Sequence, residues 1–240
     1  MKAFILAAGH GSRLRPLTDD KPKCLLPIDG VPLLQIWLEH CRRIGITDVL
    51  VNAHAHVGQV KAFARQQTSG VNVSVMDEKE LLGSAGTLAE NRRFVAGEEN
   101  FFVLYGDVLT NVDLSQLLRF HRARNVVASL ALYEVPNPCR CGIVELDQDG
   151  IICSFVEKPA RPRSNLAFAG IMVAGQQIFE FIPQDRPADI GFHLLPKLVG
   201  RMAGMKVDGI LLDIGTIENY RIAQEEWAKF KGRHAEGNHL

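Results

Sequence analysis

Net charge is absent from this 240-residue sequence: Lys+Arg and Asp+Glu each number 27. A neutral balance gives no sign of a general affinity for nucleic acid or for an anionic membrane, and neither partner is expected. Cysteine is sparse and unpatterned. The five are Cys24, Cys41, Cys139, Cys141 and Cys153, an odd number whose spacings fit no zinc framework. That points to reduced thiols and a cytoplasmic setting. No stretch approaches the roughly 20 apolar residues needed to span a bilayer. The apolar run at 4–8 is too short for a secretory leader and runs into a polar glycine loop. Internal repeats and low-complexity linkers are missing as well. What remains is a chain 47% hydrophobic by count, enough to bury a substantial core.

Apolar runs of strand length alternate with segments of helical period. Strands are expected at 2–7, 48–51, 71–76 and 100–105, the last very apolar and therefore central. Helices are expected at 33–43, where Leu34, Trp37, Leu38 and Cys41 share a face, at 57–66, from about 84, and at 114–124 after Asp113. The second half changes character. Strands at 126–134, 142–146 and 151–157 enclose the turn Asp147-Gln148-Asp149-Gly150, a hairpin signal. A strand at 167–173, short helices at 176–181 and 192–199, a strand at 210–213 and a helix at 217–230 complete the reading. The tail from Gly232 is polar and expected to be mobile. Repeated strand-then-helix units predict an α/β fold, a sheet with helices on both faces. We read residues 1–231 as one domain, with a nucleotide-binding half to about 125 and a second half from about 126. In such sheets ligands sit past the carboxyl ends of the strands.

After the first strand come Ala7-Ala8-Gly9-His10-Gly11-Ser12-Arg13-Leu14-Arg15-Pro16-Leu17-Thr18 and then Lys21-Pro22-Lys23-Cys24-Leu25-Leu26-Pro27. Small residues let backbone N–H groups approach an anion, and Arg13, Arg15, Lys21 and Lys23 add four cations. The requirements of a triphosphate are met by such a turn. An ordinary loop with solvated charges would look the same at this level. The dinucleotide fingerprint fails because its third glycine would fall on Leu14, and the Gly-Lys-Ser/Thr of a P-loop is missing.

The whole string from Leu6 to Pro27 is more specific than its glycines. It resembles the signature of the sugar nucleotidyltransferases, or nucleotide-sugar pyrophosphorylases: Leu-Ala-Ala-Gly-x-Gly-x-Arg-Leu-x-Pro-Leu-Thr, then Pro-Lys-x-Leu-x-Pro. The resemblance covers about 210 residues, with motifs in family order. It implies a three-layer α/β/α Rossmann-like fold with a mixed, mostly parallel sheet. It also implies transfer of a nucleotidyl group from a nucleoside triphosphate to a sugar 1-phosphate, with pyrophosphate released. By this resemblance Ala7, Ala8, Gly9 and Gly11 wrap the nucleotide, Arg13 contacts the leaving phosphates, and Lys23 supports the reacting phosphate.

Three further segments extend it. Gly106-Asp107 follows the apolar strand, and Leu212-Asp213-Ile214-Gly215-Thr216 repeats the design near the end. Two acidic groups reaching one triphosphate suit Mg²⁺, although an isolated Asp is more often a cap or turn residue. The family places metal-binding aspartates at Asp107 and Asp213, so Mg²⁺ is the expected cofactor and Asp107 a catalytic position. Glu78 and the run Leu82-Gly83-Ser84-Ala85-Gly86 resemble the base pocket, where Gly83 and Ala85 would let the base lie against the backbone. Read without the family, the run is a charged turn with Ser84 as a helix N-cap. Members reading thymine or uracil often carry Gln at the place of Glu78. A carboxylate only accepts, and guanine offers two adjacent donors, so GTP is expected, with UTP as the alternative.

Phe155-Val156-Glu157-Lys158-Pro159 resembles the sugar-site motif. There Glu157 would accept from sugar hydroxyls, Lys158 would hold the sugar phosphate, and Gly142 and Gly170 would offer backbone contacts. Cys141 stands where Tyr is common. Phe168 stands where many members carry an Asn that binds sugar hydroxyls, which points to a less standard acceptor. His54-x-His56 reads as polar loop histidines, Cys139-x-Cys141 as inert thiols, and His193 as either helix surface or a border of the sugar pocket. Rival readings are a cytidylyltransferase acting on a non-sugar phosphorylated alcohol and a non-catalytic nucleotide sensor. The sequence stops after the last helix, so the acetyltransferase β-helix that some members append is not expected. A monomer or homodimer is anticipated.

Overall fold

A computed structural model describes residues 1–237, with side-chain environments through residue 232. In chain order the elements are β1 (Lys2–Leu6), β2 (Pro27–Ile28), β3 (Val31–Pro32), α1 (Leu33–Arg43), β4 (Asp48–Ala53), α2 (Val57–Gln66), β5 (Asn72–Asp77), α3 (Ser84–Glu90), β6 (Asn100–Tyr105) and β7 (Val108–Thr110). The second half adds α4 (Leu114–Arg122), β8 (Ala128–Glu134), β9 (Gly142–Leu146), β10 (Ile152–Glu157), β11 (Leu166–Gly175), β12 (Met202–Lys206), β13 (Leu211–Asp213) and α5 (Ile217–Gly237).

Nine strands form a mixed sheet along the path β10-β9-β11-β6-β1-β4-β5, with β8 joining at β11 and β12 beyond it. The first-half strands β6, β1, β4 and β5 run parallel. Antiparallel β11 joins them to the second half. Successive side chains of a strand point to opposite faces, and the core divides accordingly. Ala3, Ile5, Val49, Val51, Phe102, Leu104, Ile171 and Val173 pack on one face with α1, α4 and α5. Phe4, Leu50, Phe101, Val103, Met172 and Ala174 pack on the other with α3 and the segment near 190–198. Burial on both faces explains the uninterrupted apolar runs of these strands. Leu34, Trp37, Leu38 and Cys41 of α1 are all buried, as their spacing requires. Each of the large ones contributes about 1.5–3 kcal/mol by leaving water. Among the described residues, no helix is long and apolar enough to cross a membrane.

Four expectations need correction. Strands β2, β3, β7 and β12 were not anticipated. The expected helix at 192–199 is a π-turn, Ile190–Leu194, followed by a 3-10 turn, Leu195–Leu198. Pro196 lacks an N–H and crowds the carbonyl four residues back, which forbids a regular helix. Ser84 is the first residue of α3 rather than its cap, and that place is held by Gly83. The last helix, expected to end at 230, runs on to Gly237, because Lys, Arg, Ala and Glu favour helix enough to carry Gly232. Residues 238–240 of the polar tail lie outside the described residues.

Candidate functional site

β1 and β6 end side by side, and the loops leaving them build the first part of the site. Gly11 adopts φ +66°, which favours glycine, and a Cβ there would lie 3.0 Å from Thr18 Cγ2. The hydroxyl of Thr18 donates to the Gly11 carbonyl at 2.8 Å, closing the loop on itself. Leu14, fully buried, anchors it from below, which leaves the 7–11 backbone and Arg13 at the strand ends.

The carboxylates arrive by strand pairing. β7 follows Gly106-Asp107 directly and pairs antiparallel with β13, so Asp213 lies opposite Val108. The amide of Ile214 donates to the Asp107 carbonyl at 2.9 Å, locking the two segments together. Lys23 Nζ donates to Asp107 Oδ2 at 2.8 Å. A Cβ on Gly215 would lie 3.2 Å from Arg13 Nη2, so the guanidinium rests against that glycine. Desolvation by its neighbours and the charge of Asp107 push the Asp213 carboxyl above its usual range, against the pull of Lys23, the Gly215 amide and Arg13. Arg13, Lys23, Asp107 and Asp213, distant in sequence, thus form one cluster of alternating charge.

The segment expected to line the base is built differently. Glu78 is 3% exposed. Its Oε1 accepts from Asn52 Nδ2 at 2.9 Å and from the Thr87 hydroxyl, and its Oε2 faces the Leu82 amide at 3.4 Å. The carboxylate expected to read guanine therefore points inward. Ala85 is fully buried, and its amide donates to the Ala188 carbonyl at 2.8 Å. A Cβ on Gly83 would lie 2.4 Å from that same carbonyl oxygen. The small residues here admit the backbone of Ala188, where the sequence reading had them admit the base.

On the acceptor side, β9 and β10 set Gly142 opposite Glu157. A Cβ on Gly142 would lie 2.7 Å from Glu157 Oε2, and one on Gly191 would lie 2.3 Å from it. The carboxylate is thus packed between two glycines. Burial raises its pKa, with Lys158 opposing and Asp189 reinforcing. Lys158, at φ +50°, holds its Nζ 3.9 Å from Glu157 Oε1 and 5.6 Å from the centre of the Phe192 ring. Gly170, at φ +72°, lies against Tyr105, which meets Phe168 edge-on. Burial raises the Tyr105 pKa, and the charges of Glu157, Asp107 and Asp189 add to it.

Two participants, Asp189 and Phe192, escaped the sequence. Ser84 Oγ accepts from the Ile190 amide at 2.7 Å, tying α3 to the π-turn. Asp189 and Phe192 enter through that turn, which carried no motif. His193 accepts from the Asp189 amide through Nδ1 at 2.9 Å, so it closes the turn. His54 donates through Nδ1 to the Glu78 carbonyl at 2.8 Å, and its ring meets His10 edge-on. Burial pushes the Cys24 and Cys41 thiols up to about 12, which keeps them unreactive.

Residues 2–229 match the family model described as nucleotidyl transferase. A UTP–glucose-1-phosphate uridylyltransferase from Synechocystis is 32% identical over 238 residues, covering 92% of this chain and 61% of that protein. A mannose-1-phosphate guanylyltransferase catalytic subunit beta from Danio rerio is 33% identical over 226 residues, covering 92% and 62%. The chain thus spans about six-tenths of the length of these curated relatives. A Bacillus anthracis protein described as a glucose-1-phosphate thymidylyltransferase, crystallised with sucrose, superposes with a TM-score of 0.83 at 26% identity over 94% of each chain. With the family match extending over nearly the whole sequence, the chain belongs to the nucleotidyl transferases.

Proposed function

We propose that this chain transfers a nucleotidyl group from a nucleoside triphosphate to a sugar 1-phosphate and releases pyrophosphate. The observation that carries the reading is the cluster of Arg13, Lys23, Asp107 and Asp213 at the ends of β1, β6 and β13. The 7–11 backbone would bind the nucleotide, and Arg13 would offset charge on the departing phosphates. Lys23, oriented by Asp107, would hold the α-phosphate. Lys158 would bind the acceptor phosphate. Glu157, with backbone from Gly142 and Gly170, would hold sugar hydroxyls.

An oxygen of the sugar phosphate attacks the α-phosphorus and forms the new O–P bond. The bond from that phosphorus to the bridging oxygen breaks, and pyrophosphate leaves with the electron pair. The attacking oxygen is already anionic, so no base is needed, and the residues act by positioning and charge stabilisation. Asp107 and Asp213 would hold Mg²⁺. The residues fit such an ion, because the β7–β13 pairing sets Asp213 opposite Val108, the neighbour of Asp107, and so brings two carboxylates to one place. Mg²⁺ takes its other ligands from phosphates and water. When bound it neutralises phosphate charge.

With Glu78 turned inward, its carboxylate supplies no argument for guanine over uracil. The proposal is therefore for the reaction class, with GTP and UTP the first nucleotides to compare. Retention of all four charged residues favours an enzyme over a sensor. The test is pyrophosphate release on mixing each of four nucleoside triphosphates with Mg²⁺ and a panel of sugar 1-phosphates. Absence of release from every pair would overturn the reading.

A further inference from the structure

Asn52 interrupts the otherwise apolar run Val49-Leu50-Val51-Asn52-Ala53 of β4 and is 4% exposed. It lies beside Leu6, at the point where β1 leaves the sheet. A buried polar side chain must find partners, and this one binds three separate segments. Its Oδ1 accepts from the Ala7 amide at 2.6 Å, the first amide of the loop. Its Nδ2 donates to Glu78 Oε1 at 2.9 Å, at the end of β5, and lies 3.0 Å from Thr87 Oγ1 in α3. Thr87 in turn donates to the same carboxylate oxygen. Amide orientation is fixed by chemistry: the Ala7 N–H only donates and the carboxylate only accepts, so Oδ1 must face the loop.

We propose that Asn52 and Glu78 are positioning residues, setting the course of the 7–11 loop through Ala7 and thereby the affinity for any nucleoside triphosphate, independent of its base. This rests on the reading that the loop binds the nucleotide. Glu78 is 3% exposed, its Oε1 held by Asn52 and Thr87 and its Oε2 facing the Leu82 amide. Removing Asn52 releases the Ala7 amide and strands a buried carboxylate, so the loop loses its preset course. The groups that reach the reacting phosphorus are untouched. The effect therefore falls on ground-state and transition-state binding of the nucleotide alike, raising KM with little change in kcat.

The experiment measures kcat and KM for GTP, UTP and the sugar phosphate in wild type, Asn52→Ala, Thr87→Val and Glu78→Gln, with melting curves for each. Asn52→Ala is expected to raise both nucleotide KM values together by about 10- to 100-fold, and Thr87→Val by about threefold, while the KM for sugar phosphate stays within about twofold. Glu78→Gln keeps an oxygen for Asn52 and Thr87. It is expected to rescue most of the affinity and to leave the GTP/UTP ratio of kcat/KM unchanged. A ratio shifted by more than about tenfold in Glu78→Gln would mean that residue 78 reads the base, and the inference falls. Unchanged nucleotide KM in folded Asn52→Ala also overturns it. Should Asn52→Ala fail to fold, Thr87→Val decides alone by the same criterion. Wild type that neither turns over nor binds any nucleotide sinks the functional reading itself, whereas an active wild type with unaffected variants sinks only this inference.

Discussion

Replacing Gly191 by alanine perturbs one group in the proposed site and almost nothing else. The new Cβ would sit 2.3 Å from Glu157 Oε2 and 2.7 Å from its Cδ, where ordinary contact begins near 3.4 Å. The carboxylate must therefore retreat by about 1.1 Å, the difference between the two distances. A misplacement of about 1 Å in a positioning contact costs up to about 100-fold, or about 2.7 kcal/mol of barrier. The backbone at Gly191 is not left-handed, so the methyl adds no strain of its own and removes some freedom from the unfolded chain. We expect kcat/KM for sugar phosphate to fall by about 10- to 100-fold, the nucleotide KM to hold within about twofold, and the melting temperature to change little. Gly200→Ala is the control. It lies at φ +78° with open space around it, so it should cost about 1–2 kcal/mol of stability with kinetics intact. The assay is pyrophosphate release at saturating nucleotide across sugar phosphate concentrations. A folded Gly191→Ala enzyme with kcat/KM within about threefold of wild type would show that Glu157 does not hold the acceptor.

Asp107→Asn and Asp213→Asn should each lower turnover by at least about 1,000-fold without a change in circular dichroism; a variant retaining a tenth of wild-type turnover with Mg²⁺ would refute the metal role. Phe192 is 52% exposed beside Lys158, and a contact of this kind contributes about 0.5–1 kcal/mol. Phe192→Ala should therefore raise the KM for sugar phosphate about two- to fivefold and leave nucleotide binding alone, and an equal effect on both substrates would contradict this placement. Burial holds His40 and His121 below the ordinary histidine pKa of 6.5. The unfolded chain thus takes up more protons below that value, and their stability contribution is complete above pH 6.5 and declines as pH falls. The slope is about 1.4 kcal/mol per pH unit for each histidine until its folded pKa is reached. Urea midpoints should drop between pH 7.5 and 5.5, less so when both are replaced by Gln; equal midpoints in the wild type would count against it.

Where one physical signal dominated, the sequence was readable. β1, α1, β4 and α2 have clean apolar periods, and α1 falls where its buried face required. β7 escaped because three residues after a turn leave no periodicity to detect, and Met202-Ala203-Gly204-Met205-Lys206 because its small residues resemble a loop. Asp107 and Asp213 were recognisable by their places past strand ends, but their meeting depends on the β7–β13 pairing, which no local pattern encodes. The direction of Glu78 was not legible, because a carboxylate among polar neighbours gives no sign of which way it faces. Asn52 did leave a trace, as a polar residue inside a buried strand, and counting its required partners would have directed attention there.

β11 has a mechanical consequence. Its pairing shifts between Phe168 and Met172, around Gly170, so its first part lies along β9 and its later part along β6. One unbroken ten-residue length of chain therefore gauges the gap between the hairpin bearing Glu157 and the strand leading to Asp107. At about 3.3 Å per residue, that spacing is fixed by covalent bonds and a hydrogen-bonded ladder, with no hinge between. Adding or deleting one residue at the shift would turn half the strand over and carry the two substrates out of reach of each other, however intact each binding site stayed.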